Sequence, residues 1–426
     1  MQTKNKVIIV LATTLLTGLA VLLVLNLSLG NKKVDKAIAS LYAIDDPQFL
    51  RTMGVLLGPQ IIGGNRAEAL LNGEQIFPAM LTAIREARQT ITFETYIYWS
   101  GAIGKTFADV LAERARAGVK VYVLLDWVGS GKIDESYLEE LRQAGVDVRR
   151  YNPLRWYNLG RLNNRTHRKL LVVDGKLGFT GGVGIADQWN GHAQDPQHWR
   201  DSHFRIEGPA VAQMQAAFFD NWIEVTGKVS DGAGYFPAIE PVGKQSAQVF
   251  TSSPGGGAES VQLMYLLSIA AARHSMQLSM AYFVPDHVAV QAFIDARKRG
   301  VKIQMILPGP HMDVKVVQRA SRADWGRLLG AGVDIYEYQP TMYHCKVMVV
   351  DGLWTSVGST NFDTRSFAAN DEANLNIYDA AFAKEQVKIF KQDLLQSRRV
   401  TLQEWENRPW TERLSEYMAS VLSSQL

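Results

Sequence analysis

The chain has 426 residues, of which 47% are hydrophobic, and carries a formal net charge of +3 at pH 7. This length suits two or three domains with sizeable cores, and so small a net charge argues against a protein whose whole surface binds polyanions. The single cysteine excludes an intrachain disulfide bond.

The first predicted element is an apolar helix near the N-terminus. Residues 7–25 carry no charge and are rich in Leu, Val and Ala, and about 20 such residues span a bilayer. A cleaved signal peptide is the alternative, but the run is longer than a signal core, and residues 26–30 hold no clear small-x-small cleavage site. We therefore predict an uncleaved transmembrane anchor in residues 1–30. Lysines flank it on both sides, so the positive-inside rule assigns no orientation.

Helices and strands then alternate through the first half of the chain. Apolar spacing of three or four residues predicts the helices, and β-branched or near-continuous apolar runs predict the strands. Gly118 and Gly145 close two of the helices. The predicted helices cover residues 76–87, 107–117 and 135–144, and the predicted strands cover residues 90–98 and 119–125.

The second half repeats this order. Ala-Gly-Val-Asp, for example, ends a helix at 144–147 and again at 331–334. Near-continuous apolar strands between helices indicate sheets covered on both faces, so we predict an α/β fold of two tandem lobes forming one pseudo-twofold unit. The predicted helices here cover residues 261–273, 288–299 and 317–329, and the predicted strands cover residues 276–283 and 302–307.

Composition also divides the chain into segments. The Gly- and Pro-rich stretch 230–257 is the predicted join between the halves. The predicted segments are an anchor (1–30), a connecting segment (31–70), a first half (71–240), a second half (241–396) and a C-terminal amphipathic helix (397–426).

Two interpretations remain for the C-terminal helix. Its apolar residues follow helical spacing, which favours a helix packed on the domain. The alternative is an interfacial helix that lies on a membrane with two tryptophans at headgroup level. The residues concerned are Trp405, Trp410, Leu414, Tyr417, Met418, Val421 and Leu422.

One short pattern occurs once in each half. Each copy reads His-x-Lys, four residues, then Asp, and is followed at the same distance by small residues, Gly181-Gly182 or Gly358-Ser359. One copy alone would be an ordinary histidine, but two matched copies 177 residues apart predict a single site made by both halves. The copies consist of His167, Lys169 and Asp174, and of His344, Lys346 and Asp351.

These residue types suit phosphoryl chemistry. Alternate residues of a strand share a face, so the His and Lys of each copy project together. A neutral imidazole can attack phosphorus, a protonated one can donate a proton to the leaving oxygen, and two lysines can stabilise the oxygens. Such a site needs no metal or other cofactor. A zinc site is the alternative, but no Cys or His spacing near Cys345 matches a zinc ligand set.

Basic residues concentrate just before and within the first copy. Residues 149–176 hold eight Lys or Arg and one acid, Asp174. One interpretation of this run is a solvated loop with no functional role. Because the run leads into the motif, we predict an electropositive mouth for a phosphate-bearing substrate.

The doubled motif resembles that of the phospholipase D superfamily. The run 167–182 is similar to bacterial cardiolipin synthases in particular, as are the stretches 199–209 and 361–366. The resemblance covers residues 71–396 and implies two phospholipase D-like lobes with one active site at their junction. It also implies a phosphohistidine intermediate.

The resemblance further implies residue roles. His167 would be the nucleophile and His344 the acid by analogy, although the sequence itself does not decide between them. Lys169 and Lys346 would hold the phosphate, and Asp174 and Asp351 would brace the motif strands. Ser359 and Asn361 match a phosphate-contacting Gly-Ser-x-Asn, Gly182 allows close backbone approach, and Gly184 departs from the asparagine frequent in relatives.

Further candidates lie outside the motifs. Glu94 is on an apolar strand, where a buried carboxylate needs a partner, so we expect an ion pair with an active-site Lys or Arg rather than direct catalysis. Asp201 and His203 would either support the site or form an ordinary surface pair. The aromatic residues Tyr96, Tyr98 and Trp99 would pack in the core or line a lipid path.

The first functional hypothesis is a phosphatidyltransferase, anchored by one helix in the bacterial inner membrane, that makes cardiolipin from phosphatidylglycerol. Its expected partners are the bilayer and its phospholipid, and no nucleic acid is expected. The alternatives are a phospholipase D that uses water as acceptor, a nuclease of the same superfamily and a non-catalytic membrane scaffold. The anchor and the low net charge argue against the nuclease, and the two complete motifs argue against the scaffold.

Overall fold

The computed structural model describes residues 2–27, 34, 36, 38–39, 42–154, 163–230, 232–254 and 258–421. Helix α1 (Gln2–Leu27) contains a segment, Lys4–Val24, that is long and apolar enough to cross a membrane and is not buried against the rest of the chain. Helix α2 (Pro47–Leu56) is capped by Asp46 and packs Phe49 and Met53 into the core of the second half.

The first half contains every helix and strand predicted for it, with ends shifted by up to five residues. Helix starts differed most from the prediction; the helix at Asn72–Glu86, for example, begins with the polar sequence Asn-Gly-Glu-Gln, which adds nothing to an apolar periodicity. In chain order the elements are β1 (Ile62–Leu71), α3 (Asn72–Glu86), β2 (Thr90–Thr95), α4 (Ala102–Arg116), β3 (Lys120–Asp126), α5 (Glu135–Gln143), β4 (Asp147–Tyr151), β5 (Arg165–Thr166), β6 (Leu170–Val173), β7 (Leu177–Gly181), a 3-10 turn (Asp187–Trp189), β8 (Ser202–Glu207) and α6 (Ala210–Thr226).

The second half repeats this arrangement with extra short elements. The predicted strand 276–283 and helix 317–329 each appear as two elements. In chain order the elements are β9 (Gln245–Ser252), α7 (Ala258–Ala271), β10 (Ser275–Met280), β11 (Phe283–Val284), α8 (His287–Lys298), β12 (Lys302–Pro308), α9 (Lys315–Ala323), α10 (Trp325–Gly330), β13 (Asp334–Tyr338), β14 (Lys346–Val350), β15 (Trp354–Gly358), β16 (Phe362–Asp363), α11 (Thr364–Ala368), β17 (Asn370–Tyr378), α12 (Ala380–Leu395), β18 (Ser397–Val400), α13 (Leu402–Glu406) and α14 (Trp410–Val421).

Within the described residues, sixteen strands form one mixed sheet that runs through both halves. Its order is β18-β13-β12-β10-β14-β15-β17-β9-β1-β8-β7-β6-β2-β3-β4, with β5 added beside β17. Parallel strands β2, β3 and β4 correspond to parallel strands β10, β12 and β13, and the halves join through antiparallel β1 and β9. The predicted α/β fold of two repeated halves is therefore confirmed.

The two halves share an apolar core. Leu170 and Val172 of β6 pack in one buried cluster with Val349 of β14 and Leu375 of β17. Two further clusters, one in each half, lie between the strands and helices of that half. The sheet is therefore buried on both faces, and side chains of α6 and α12 also fill the shared cluster, which explains the near-continuous apolar strands.

Two predicted segments contain more structure than the sequence suggested. Residues 62–70, assigned to the connecting segment, form most of β1, whose polar Gly-Gly-Asn-Arg stretch hid the strand. The C-terminal segment begins with β18 and α13 before α14. Part of the predicted join, residues 255–257, lies outside the described residues, as does Leu422.

Helix α14 does pack on the fold, but not through the large apolar residues of the predicted stripe. Its buried side chains are Glu416 and Ala419. The Glu416 carboxylate accepts hydrogen bonds from Arg322 and Arg408, so the helix docks through ion pairs and a small side chain. The expectation that the apolar stripe faces the domain is therefore wrong, whereas Trp405 does pack inward and donates to the Arg322 carbonyl.

Candidate active site

A cavity of about 380 Å³ lies where the two halves meet. Both motif histidines line it, together with Lys169 and Asn361. The other lining residues are five aromatic side chains and a mixture of charged, polar and aliphatic ones: Tyr96, Trp99, Trp189, Trp199, Tyr282, Ile97, Arg165, Asp313, Val314, Val317, Asp363, Arg365, Ser366 and Asn370.

Each motif is held by the opposite half of the protein. The backbone N–H of His167 donates to the Asp371 carbonyl over 2.8 Å, and that of His344 donates to the Arg200 carbonyl over 2.8 Å. Each histidine then leads directly into a buried apolar strand, β6 or β14. The backbone therefore places both imidazoles at one junction, as the repeat predicted.

A buried glutamate orients the first imidazole. Nδ1 of His167 lies 2.9 Å and 3.0 Å from the two carboxylate oxygens of Glu372. Ser359 and Asn370 donate to the same carboxylate, so its oxygens are shared among several donors. Burial raises the pKa of Glu372, although Lys169 and these donors oppose the shift. This pairing leaves Nε2 of His167 for the cavity.

A buried aspartate plays the matching part for the second imidazole. Nδ1 of His344 lies 2.7 Å from Asp201, and Trp189 donates to the same carboxylate oxygen over 2.9 Å. Burial alone would raise the pKa of Asp201, but His344, Lys346 and a backbone N–H together hold it below its usual value. Gly182 is required beside it, because a Cβ atom there would lie 2.2 Å from an Asp201 oxygen.

The two motif lysines are buried beside the histidines. Lys169 Nζ donates to the His167 carbonyl over 2.8 Å, and Lys346 Nζ donates to the His344 carbonyl over 2.9 Å. Lys346 Nζ also lies 3.2 Å from Nε2 of His344. Burial lowers the pKa of both lysines, and Glu372 and Asp201 partly offset the effect.

Both imidazoles are less basic than a histidine in water. Burial, followed by the charges of Lys169 and Lys346, lowers the pKa of His167 well below 6.5. Burial and Lys346 also lower the pKa of His344, but Asp201 opposes that shift. The lowered pKa therefore favours the neutral form of His167. The protonated form of His344 is stabilised by an ionised partner, Asp201.

The motif aspartates lie away from the cavity. Asp174 accepts from the backbone N–H groups of Arg88, Gln89 and Thr90. Asp351 accepts in the same way from Arg273, His274 and Ser275. Each aspartate thus ties the far end of a motif strand to the start of the neighbouring antiparallel strand, β2 or β10.

Other predicted site residues also lie outside the cavity lining, Lys346 and Gly182 among them. Glu94 accepts from Asn221 over 2.7 Å and from Thr166, and burial raises its pKa to about 7 although the nearby Arg168 opposes the shift. Ser359 is fully buried and donates to Glu372. Asn361, in contrast, lines the cavity, and its Oδ1 accepts no hydrogen bond from the described residues.

Some of the remaining predicted residues belong to the site and others do not. Tyr96 and Trp99 line the cavity, whereas Tyr98 is buried in the core and donates to the Gly104 carbonyl. Asp201 is part of the site, whereas His203 is buried behind it.

The basic run 149–176 does not form one mouth. In the part of it that the structure describes, Arg165 and Lys169 line the cavity, whereas Arg168 is fully buried and pairs with Asp220. Arg149 and Arg150 form surface ion pairs. Arg168 points away from the cavity because alternate residues of an extended chain project to opposite faces, and it lies between His167 and Lys169. Arg155 and Arg161 lie outside the described residues.

Sequence reasoning missed Glu372 altogether. Its counterpart Asp201 comes 19 positions after Gly182, whereas Glu372 comes 13 positions after Ser359, so the repeat does not align them by spacing. A different pattern could have found both residues: each is an acidic residue at the start of the last long strand of its half, β8 for Asp201 and β17 for Glu372. Asp313, Tyr282 and Arg365 were also missed, since each lies on an irregular loop or a short element.

No cluster of three or more His, Cys, Asp or Glu side chains arranged to hold a metal occurs in the described parts of the chain. Cys345 is buried with its sulfur 3.7 Å from the Ser202 hydroxyl.

The fold is shared with a solved phosphatidylserine synthase. The crystal structure of phosphatidylserine synthase from Haemophilus influenzae matches with a TM-score of 0.68 and 13% identity, over 90% of this chain and 100% of that one. At this identity the likeness concerns the fold alone. It agrees with the two-lobed architecture.

Sequence comparison defines the family more narrowly. The family model "Cardiolipin synthase, PLD-like domain" matches residues 80–222 and 265–394, one segment in each half. The chain is 35% identical to the cardiolipin synthase of Geobacillus kaustophilus, over 85% of this chain and 72% of that protein. It is 32% identical to cardiolipin synthase A of Pseudomonas putida, over 88% and 77%. The chain belongs to the cardiolipin synthase family of phospholipase D-like proteins.

Proposed function

We propose that this protein is a membrane-anchored phosphatidyltransferase that makes cardiolipin from two molecules of phosphatidylglycerol. One observation carries the proposal: two imidazoles, each backed by a buried carboxylate and accompanied by a lysine, share one cavity at the junction of the halves. The names of the relatives support the same substrate class.

The first step transfers the phosphatidyl group to the protein. Nε2 of His167 forms a bond to the phosphorus of one phosphatidylglycerol, and the bond from phosphorus to the headgroup glycerol oxygen breaks. Protonated His344 gives its proton to that oxygen, so glycerol leaves. Lys169 and Lys346 stabilise the charge on the non-bridging oxygens, and Asn361 is available as a further phosphate contact.

The second step reverses these roles. Neutral His344 takes the proton from a hydroxyl of a second phosphatidylglycerol, whose oxygen bonds to phosphorus as the nitrogen–phosphorus bond breaks. Cardiolipin leaves and both histidines return to their starting states. If water takes the place of the hydroxyl, the same site releases phosphatidic acid.

Electrostatics favours His167 as the nucleophile. Burial and both lysines lower its pKa well below 6.5, so it is neutral and able to attack, whereas Asp201 opposes the lowering of the His344 pKa. Glu372, the partner of His167, has a raised pKa, whereas Asp201, the partner of His344, has a lowered one. An ionised Asp201 stabilises the imidazolium that a general acid requires.

We further propose that α1 is a single-pass anchor in the inner membrane of a bacterium. Its apolar segment Lys4–Val24 has 21 residues, enough to cross the bilayer core. An enzyme that takes two lipids as substrates gains from this tether, because both substrates then stay in its own membrane.

The test replaces each motif histidine in full-length protein reconstituted in phosphatidylglycerol vesicles. We expect His167→Ala to lose about 10⁴-fold or more in cardiolipin formation and His344→Ala to lose about 10²–10⁴-fold. His192→Ala, at an exposed histidine outside the cavity, is the matched control and should retain normal activity. The lipids are separated and quantified.

The same samples distinguish the acceptor and the nucleophile. Cardiolipin with free glycerol supports transfer, whereas phosphatidic acid without cardiolipin would mean hydrolysis. Phosphate-labelled lipid should leave acid-labile label on the wild-type protein and none on His167→Ala. Normal cardiolipin formation by both histidine variants would refute the mechanism.

A further inference from the structure

Helix α14 carries an exposed apolar stripe. Its members, Trp410, Leu414, Tyr417, Met418 and Val421, are between 52% and 73% exposed. At 100° per residue they fall within an arc of about 100°. The opposite side of the helix holds Glu416 and Ala419, which are buried against the fold. The stripe is therefore an outward face of a helix whose other face is fixed.

Helix α14 packs beside the active-site cavity. Ala419 belongs to a small core cluster with Met312 and Val317. Val317 also lines the cavity, as does Val314, an exposed side chain on the loop after β12. The helix that carries the stripe therefore borders the cavity lining through its buried face.

Other exposed apolar side chains occur at the same end of the sheet. Val128 follows β3 and Leu154 follows β4, and both are more than half exposed. The loop after β3 lies beside the cavity, because Trp99, which lines it, donates to the Gly129 carbonyl. Apolar residues thus occur on both sides of the cavity mouth, contributed by both halves.

The anchor segment joins the fold at the other end of the strands. The carbonyl of Tyr42 accepts from the Arg273 guanidinium, and the Arg273 N–H donates to Asp351. Asp351 closes β14 at the end away from Lys346. The tether therefore does not by itself turn the cavity toward the bilayer. Val34 and Ile38 also pack against the core of the second half, so six residues, 28–33, separate α1 from the first of these contacts and span at most about 22 Å when extended.

We propose that the stripe of α14, together with Val314, docks on the lipid bilayer and holds the cavity mouth against the membrane surface. A bilayer fits better than a protein partner for two reasons. The chain already carries a membrane-spanning helix, and the stripe combines Trp and Tyr at its flank with aliphatic residues, as interfacial helices do. The stripe contains no charged residue, so insertion rests on apolar burial and not on anionic lipid.

The test uses full-length protein in phosphatidylcholine vesicles, with a polarity-sensitive fluorophore on a single introduced cysteine. Native Cys345 is buried and its thiol pKa is raised to about 12 by burial, so unmodified protein gives the labelling background. Met418→Cys should give a blue-shifted label that is quenched by lipids carrying a spin label in their acyl chains. The signal should be the same at 0.1 and about 1 M salt, because no charge contributes.

Two matched positions act as controls. Glu412→Cys lies on the same helix off the stripe. Val55→Cys is 76% exposed on α2, whose Phe49 packs on Trp354 at the tether end of the sheet. Neither should be quenched by lipid. Quenching at Val55 without quenching at Met418 would mean that the opposite end faces the membrane. Energy transfer between Met418 labels of two copies, without lipid quenching, would mean that a second chain covers the stripe; either result overturns the proposal.

A second measurement links docking to function without touching the catalytic groups. Leu414→Glu with Met418→Glu should slow turnover of phosphatidylglycerol in vesicles by about tenfold per side chain, yet leave turnover of a short-chain, monomeric analogue unchanged. Equal rates for wild type and variant on vesicles would refute the docking role. Inactivity of wild-type protein on both substrates would instead count against the proposed function and leave the fluorescence result to decide on docking.

Discussion

At the residue scale, the two histidines differ in the carboxylate behind them. Glu372 is shared among His167, Ser359 and Asn370 and has a raised pKa, mainly through burial. Asp201 serves His344 and has a lowered pKa. Nearly identical motifs therefore acquire different acid–base behaviour from partners that the opposite half supplies. This asymmetry is what separates nucleophile from acid in the proposed mechanism.

The neutral state of His167 leads to a prediction about pH. A histidine with a lowered pKa stays neutral until the pH falls through that lowered value, so the acid-side loss of kcat/KM should have its midpoint below pH 6.5. The measurement is a pH–rate profile on phosphatidylglycerol in detergent micelles, with circular dichroism at each pH to exclude unfolding. A midpoint at or above 6.5 with the fold intact would contradict the assignment.

At the element scale, each motif strand ends in the same tight turn. Asp174 and Gly175 both have positive φ, 52° and 63°, as do Asp351 and Gly352. Lys176 N–H donates to the Val173 carbonyl across the first turn, the pattern of a type I′ hairpin, which favours Asp-Gly. The aspartate side chain also caps three backbone N–H groups of the adjoining segment. One residue thus fixes both the turn and the register of two strands.

Removing that cap should affect stability more than chemistry. Asp174→Ala loses three charge-assisted hydrogen bonds and strains a left-handed backbone position, so we expect a loss of about 3 kcal/mol in the free energy of unfolding. Asp174→Asn, which keeps an acceptor and tolerates positive φ, should lose clearly less. Chemical unfolding gives these values. If Asp174→Ala were as stable as the wild type but as inactive as His167→Ala, the aspartate would belong to the chemistry instead.

At the scale of the whole molecule, the halves are not separate bodies. Side chains of both fill one buried cluster, each half backs the histidine of the other, and one sheet passes through both at β1 and β9. Loss of either half would expose the shared core and remove part of the cavity lining. The molecule is therefore expected to unfold as a unit.

Calorimetry of the solubilised protein tests this cooperativity. We expect one transition, and Leu375→Ala, fully buried between the halves, should move all of it downward because the substitution costs about 2–5 kcal/mol. Leu395→Ala, at a leucine that is 85% exposed, is the control and should cause almost no shift. Two transitions of which only one responds to Leu375→Ala would show that the halves unfold independently.

The sequence by itself determined the repeat, the alternating elements, the apolar anchor and the four histidine and lysine side chains, because periodicity and paired motifs are local properties of a chain. Only the tertiary structure decided which carboxylate backs which histidine, that Arg168 is buried while Lys169 faces the cavity, and that the stripe of α14 faces outward. These depend on which surface meets which across the halves. The sequence of an apolar face predicts that the face is covered, but it does not predict whether a strand, the other half of the protein or a lipid covers it.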